Sequence, residues 1–99
     1  AEAANGAITI SAGTVIFTNA GVNAMTLAAP SAGQEGTRMT FVAGTANAHT
    51  ITATGLIDDG VTGGSKNVAT FAAFVGATIT LEAYNSKWVV VASNNVTVS

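Results

Sequence analysis

Apolar and polar residues alternate along most of this chain, and the period is two. Ile8 and Ile10 flank Thr9, Val15 and Phe17 flank Ile16, Met25 and Leu27 flank Thr26, and Met39 and Phe41 flank Thr40. Further on, Ile51 sits between Thr50 and Thr52, and Ile79 and Leu81 alternate with Thr78, Thr80 and Glu82. Trp88 and Val90 alternate with Lys87 and Val89. Successive side chains of a strand point to opposite faces, so alternation over such short runs predicts half-buried β-strands. Threonine suits the outward positions, because its branched β-carbon fits a pleated sheet and its hydroxyl needs no counter-ion.

Turn residues punctuate these runs. Ser11-Ala12-Gly13, Asn19-Ala20-Gly21, Pro30-Ser31-Ala32-Gly33, Gly44-Thr45-Ala46-Asn47, Gly60 to Gly64, Asn85-Ser86 and Ser93-Asn94-Asn95 all carry turn or loop chemistry. They divide the chain into about nine short strands, a spacing suited to a sandwich, barrel or prism. The expected fold is all-β, a compact antiparallel sandwich or barrel-like domain of about eight or nine strands. Residues 1–6 read as an N-terminal arm and residues 7–99 as a single β domain. Only Val22-Asn23-Ala24-Met25 has the makings of a helical turn, and Pro30 ends anything longer. The loosest segments are expected at residues 1–6 and in the glycine-rich loop from Asp58 to Lys66.

Composition narrows the picture. Eight of the 99 residues are charged, about a third of the share usual in soluble domains. A free monomer normally stays soluble through interspersed charges. A β-rich chain without them is expected to cover part of its surface against copies of itself or a larger assembly. Cysteine is absent, so disulfides, thiolate nucleophiles and sulfur-ligated metals are excluded. The net charge is −2, and Arg38, Lys66 and Lys87 are scattered, which argues against nucleic acid as a partner. No apolar run approaches the roughly 20 residues of a membrane-spanning helix, and no membrane partner is expected. The start, Ala1-Glu2-Ala3-Ala4-Asn5-Gly6, has neither the basic nor the apolar region of a signal peptide. It also lacks an initiator Met, as in a chain that was processed or cut from something longer.

Little in the sequence points to catalysis, which gathers titratable groups in a cleft. His49 is the sole histidine, and at the start of a strand it reads as a hydrogen-bonded structural residue. Asp58-Asp59-Gly60 is the only paired-carboxylate feature. It lacks the alternating ligands of a calcium loop, so a solvated turn is the simpler reading beside a cation site. No catalytic residue, cofactor or metal ligand is assigned. Asn95-Val96-Thr97 matches a glycosylation sequon but carries no weight without a secretory context. The scattered aromatics read as core, with one exception: Phe74-Val75, beside Gly76, falls where a turn is expected. An apolar pair in a turn reads as a contact with another chain.

Longer stretches carry a resemblance. They are Thr26-Leu27-Ala28-Ala29-Pro30-Ser31-Ala32-Gly33, Gly36-Thr37-Arg38-Met39-Thr40-Phe41 and Ala48-His49-Thr50-Ile51-Thr52. Gly76-Ala77-Thr78-Ile79-Thr80-Leu81, Tyr84-Asn85-Ser86-Lys87-Trp88 and Asn94-Asn95-Val96-Thr97 continue the pattern. Together they resemble small all-β structural modules of tailed-bacteriophage virions, namely head decoration (cement) and head-fibre proteins. The resemblance spans residues 13–98 and rests on structural motifs, so it specifies a fold better than a role. It implies a homotrimer on the capsid exterior, partnered by the major capsid protein and stabilising the head lattice. A fibre or tail module that recognises a host glycan is the alternative. At the matching positions, Leu27, Met39, Phe41, Ile51, Ile79, Leu81 and Trp88 are expected to build the core. Asn85-Ser86 is expected to form a two-residue hairpin loop, or a longer one because Ser is less favourable there than Gly. Contacts with other copies or with the capsid are expected at Phe74 and Val75, at Ile16 or Val89, and along the arm at Ala3 and Ala4.

Overall fold

The computed structural model describes residues 5–60 and 65–99. Nine strands form one curled sheet: β1 (Gly6–Ala7), β2 (Gly13–Phe17), β3 (Ala24–Thr26), β4 (Arg38–Ala43), β5 (Thr50–Asp58), β6 (Lys66–Phe71), β7 (Thr78–Tyr84), β8 (Lys87–Asn94) and β9 (Val96–Val98). A turn of 3-10 helix at Ala32–Gln34 precedes β4, and no α-helix occurs among the described residues. The helical turn expected at Val22-Asn23-Ala24-Met25 is strand instead, because Ala24–Thr26 joins the ladder of β5. Backbone pairing there outweighs a four-residue propensity.

The sheet is mixed, not antiparallel as expected. Its order is β1-β3-β5-β8-β7-β4-β2, with β6 also on β5 and β9 on β6. β1–β3, β2–β4, β3–β5 and β5–β8 run parallel, while β4–β7, β5–β6, β6–β9 and β7–β8 run antiparallel. The reason lies in the turns. Those at Ser11–Gly13 and Asn19–Gly21 are corners that carry the chain between the two limbs of the curl, so successive passes stack in the same direction. Gly6, Met25 and Ile51 thus line up across β1, β3 and β5, as Gly13 and Met39 do across β2 and β4. Only at Asn85-Ser86 does a two-residue loop reverse the chain.

β5 joins the limbs. Its first residues lie between β3 and β6, and its last pair with Trp88 and Val89 of β8. The register on β6 shifts between Thr52 and Ile57. Gly55 sits in that shift at φ 70, donating its N–H to Asn67 Oδ1 at 2.8 Å. A glycine in the left-handed region lets a bulge bend the strand from one limb to the other.

The core fills the hollow of the curl. Leu27, Met39, Phe41, Ile51, Ile79, Leu81 and Trp88 are all buried there, with Phe17, Met25, Ile57 and Phe71. Alanine fills the narrow places: Ala83 lies opposite Trp88, Ala69 opposite Ile51 and Ala43 opposite Phe17. Pairing small with large side chains across a ladder is how a thin core reaches native packing density. Trp88 donates its indole N–H to the carbonyl of Ala28 at 2.9 Å, so its one polar atom is satisfied inside.

Candidate functional site

The two ends of the molecule differ in chemistry. One end gathers the turns after β2, β4 and β6 and the β8–β9 junction, at residues 18–23, 44–49, 72–76 and 94–95. None of these residues is charged. Side-chain amides and hydroxyls hold their backbones instead. Thr45 Oγ1 donates to the carbonyl of Asn19 at 2.7 Å, and Asn47 Nδ2 to that of Ala20 at 3.1 Å. Asn19 Nδ2 donates to the carbonyl of Val22 at 3.2 Å.

His49 is the hub of this end. It is fully buried, between Phe17 and Phe71 with ring centroids 5.5 and 6.3 Å away. Its Nδ1 accepts the backbone N–H of Asn23 at 2.9 Å, so the ring hydrogen sits on Nε2. Nε2 in turn lies 3.2 Å from the carbonyl of Thr45 and 3.0 Å from its hydroxyl. Nδ1 thus ties the 44–49 turn to the 18–23 turn, while Nε2 closes the 44–49 turn on itself. The ring is a brace between turns.

On this frame the 72–76 turn presents its apex outward. Ala72 N–H bonds the carbonyl of Asn95 at 2.8 Å, and Gly76 N–H bonds that of Ala43 at 2.9 Å. Gly76 takes φ 94, which closes the turn without strain. Phe74 and Val75 are left 65% and 68% exposed, and nothing in the turn folds back over them. Ile16, 42% exposed, stands near the same end on β2, beside Gly44, whose missing Cβ leaves room for it. Val22, 46% exposed, adds to this surface and carried no distinguishing signal in the sequence. The structure therefore brings Phe74, Val75 and Ile16 to one end. Val89 is not with them: it lies half-buried opposite Glu82 and Asp58, toward the other end. Ala3 and Ala4 lie outside the described residues, as does the middle of the loop between Asp58 and Lys66. Gly6, the last residue of the expected arm, pairs in β1.

The opposite end holds the charges of the described residues. Arg38 meets Glu82 at 2.6 Å across β4 and β7. Glu35 Oε1 accepts the N–H of Asn85 at 3.1 Å. Lys87 Nζ donates to Ser65 Oγ at 2.8 Å, and Ser65 donates to Asp58 Oδ1 at 2.8 Å. Lys66 opens β6 opposite Ile57, and Asp59 follows Asp58. The charged residues at 35, 38, 58, 59, 66, 82 and 87 look dispersed along the sequence, and only the strand directions collect them. Among the described residues, no three His, Cys, Asp or Glu side chains gather as a metal site would require.

A shallow hollow of about 110 Å³ lies on the outer face of β7 and β8, lined by Thr78, Thr80, Ala92, Ser93 and Asn94. It is well below the roughly 300 Å³ at which small-molecule sites begin. This hollow is too small to enclose a drug-sized ligand. No family model, curated protein or solved structure matches this chain.

Proposed function

We propose that this chain is a structural protein of a tailed-bacteriophage virion, a decoration protein that binds the outer head lattice and stabilises it. The observation that carries the reading is the separation of ends: Phe74 and Val75 project from an end whose described residues carry no charge, while the described charges collect at the other. Apolar residues held out on a braced turn favour a partner that covers them. The charged end is then free to face water and keep the decorated particle dispersed. The decoration protein works by linkage, since a protein that binds only the assembled lattice stabilises it by mass action. Three copies around a threefold position of the major capsid protein would bring three Phe74-Val75 turns together.

The glycan-binding alternative draws less support. Trp88, the strongest stacking ring, is fully buried, and Tyr84 stands alone at the exposed β7–β8 hairpin. Stacking platforms use several rings on one face.

The test is location and contact. Immunogold labelling of virions from the phage or prophage that carries the gene should decorate the head exterior. The doubly substituted Phe74→Asp, Val75→Asp chain should melt within about 0.5 kcal/mol of wild type, as surface changes do, yet fail to co-sediment with heads. Purified particles that lack the chain, or retention of head binding by the double variant, would overturn the reading.

A further inference from the structure

The sheet ends on three strands that have one neighbour each: β1, β9 and β2. An end strand offers unpaired N–H and C=O groups, and monomeric proteins blunt such edges with shortness, charge, proline or a bulge. β1 has two residues and β9 three, so both are shorter than β2. β2 is five residues long, runs in unbroken register with β4, and holds neither charge nor proline. Among the described residues it is the longest unguarded edge.

Its free groups can be named. The carbonyl of Phe17 accepts the N–H of Gly44 at 2.8 Å, so Phe17 turns its backbone toward the β4 side. Residues alternate along a strand, so Gly13 and Val15 do the same, while Thr14 and Ile16 turn their N–H and C=O groups away from the sheet. We propose that this edge pairs with the β2 edge of a second copy, antiparallel, about a two-fold axis through Val15. That register sets Thr14 opposite Ile16 of the second copy and the reverse, and all the free groups of both residues find partners. Thr and Ile face each other on the outer side as a β-branched pair, which cross-strand packing favours. Val15, half-buried in the free chain, meets its own copy on the inner side.

Charge selects the antiparallel sense. The outward rows Thr14–Thr40–Thr80–Ala92 and Ile16–Val42–Thr78–Asn94 that run away from this edge are uncharged. Among the described residues, an antiparallel pair lays the charged end of one copy beside the uncharged end of the other. A parallel pair would set two charged ends of the same net sign side by side. The two-fold pair points its charge-free ends in opposite directions, so it describes the free protein, goes beyond the virion reading and does not rest on it.

One strand pairing covers less than the roughly 800 Å² per partner of a standard complex, so the dimer is weak and depends on concentration. Sedimentation of the whole chain from about 1 µM to about 1 mM should show the mass rising from 9.7 kDa toward twice that value. Amide exchange at Thr14 and Ile16 should slow about tenfold over the same range, while the rest of the sheet is unchanged. Thr14→Pro removes an N–H that the alternation turns away from β4, a position where edge strands tolerate proline. It should stay monomeric throughout. Ile16→Lys, which leaves every backbone group in place, should do the same and decides the matter if the proline variant melts early. A wild-type chain that remains monomeric, or any oligomer in which Thr14 and Ile16 exchange freely, overturns the proposal. A trimer of the latter kind on virions would leave the decoration reading standing; a β2 dimer absent from particles would do the opposite.

Discussion

His49 shows how one side chain replaces charge as the organiser of a surface. Its ring joins turns that lie 26 residues apart in sequence, from Asn23 to His49, and closes them with hydrogen bonds that need no ions. His49→Phe would keep a ring between Phe17 and Phe71 but remove the Nδ1 acceptor of the buried Asn23 N–H. An orphaned buried donor costs about 1–3 kcal/mol, and urea unfolding of the variant should show a loss in that range. A loss below about 0.5 kcal/mol would mean that water or a shifted turn replaces the ring at little cost. A structural role for His49 was legible in the sequence, since a lone histidine entering a strand has few other uses. Its partners were not, because nothing local ties Asn23 or Thr45 to it.

Among the elements, the β7–β8 hairpin was the most legible and the sheet order the least. Tyr84 pairs with Lys87, so Asn85 and Ser86 alone make the turn, with φ of 54 and 60. Both lie in the left-handed region that a two-residue hairpin of this type demands. Asparagine tolerates that region, whereas serine is strained there. Ser86→Gly should therefore stabilise the protein by about 0.5–1 kcal/mol, part of the relieved strain being offset by the freer unfolded chain. Thermal unfolding of the variant checks this, and a lower melting temperature would count against the turn geometry. Alternation told which residues face inward, as Met39, Phe41, Ile79 and Leu81 illustrate. It could not tell which strands are neighbours. A corner such as Ser11–Gly13 and a hairpin turn share the same small, flexible residues, so the parallel pairings of β1, β3 and β5 left no local trace. Gly55 hinted at a break within β5, but not that the strand changes limbs there.

For the molecule as a whole, scarcity of charge becomes a matter of placement. Arg38 and Glu82 form an ion pair with side chains 58% and 36% exposed. Such a surface pair contributes up to about 1 kcal/mol. Urea unfolding in about 1 M sodium chloride, where screening reaches within about 3 Å, should therefore give a stability within about 1 kcal/mol of that at low salt. A larger loss would point to an ionic network elsewhere in the chain. The separation of ends was not legible, since positions 35 to 87 mix charged and apolar residues freely and only the strand directions sort them. One feature of the sheet also bears on how the chain is made. β1 and β2 emerge before their partners β3 and β4, and β4 in turn waits for β7. β5, which holds β3, β6 and β8 together, meets the last of these only when Trp88 has emerged. The nascent fold is thus a set of open edges until Trp88 has emerged, and the core is sealed by a late strand rather than an early one.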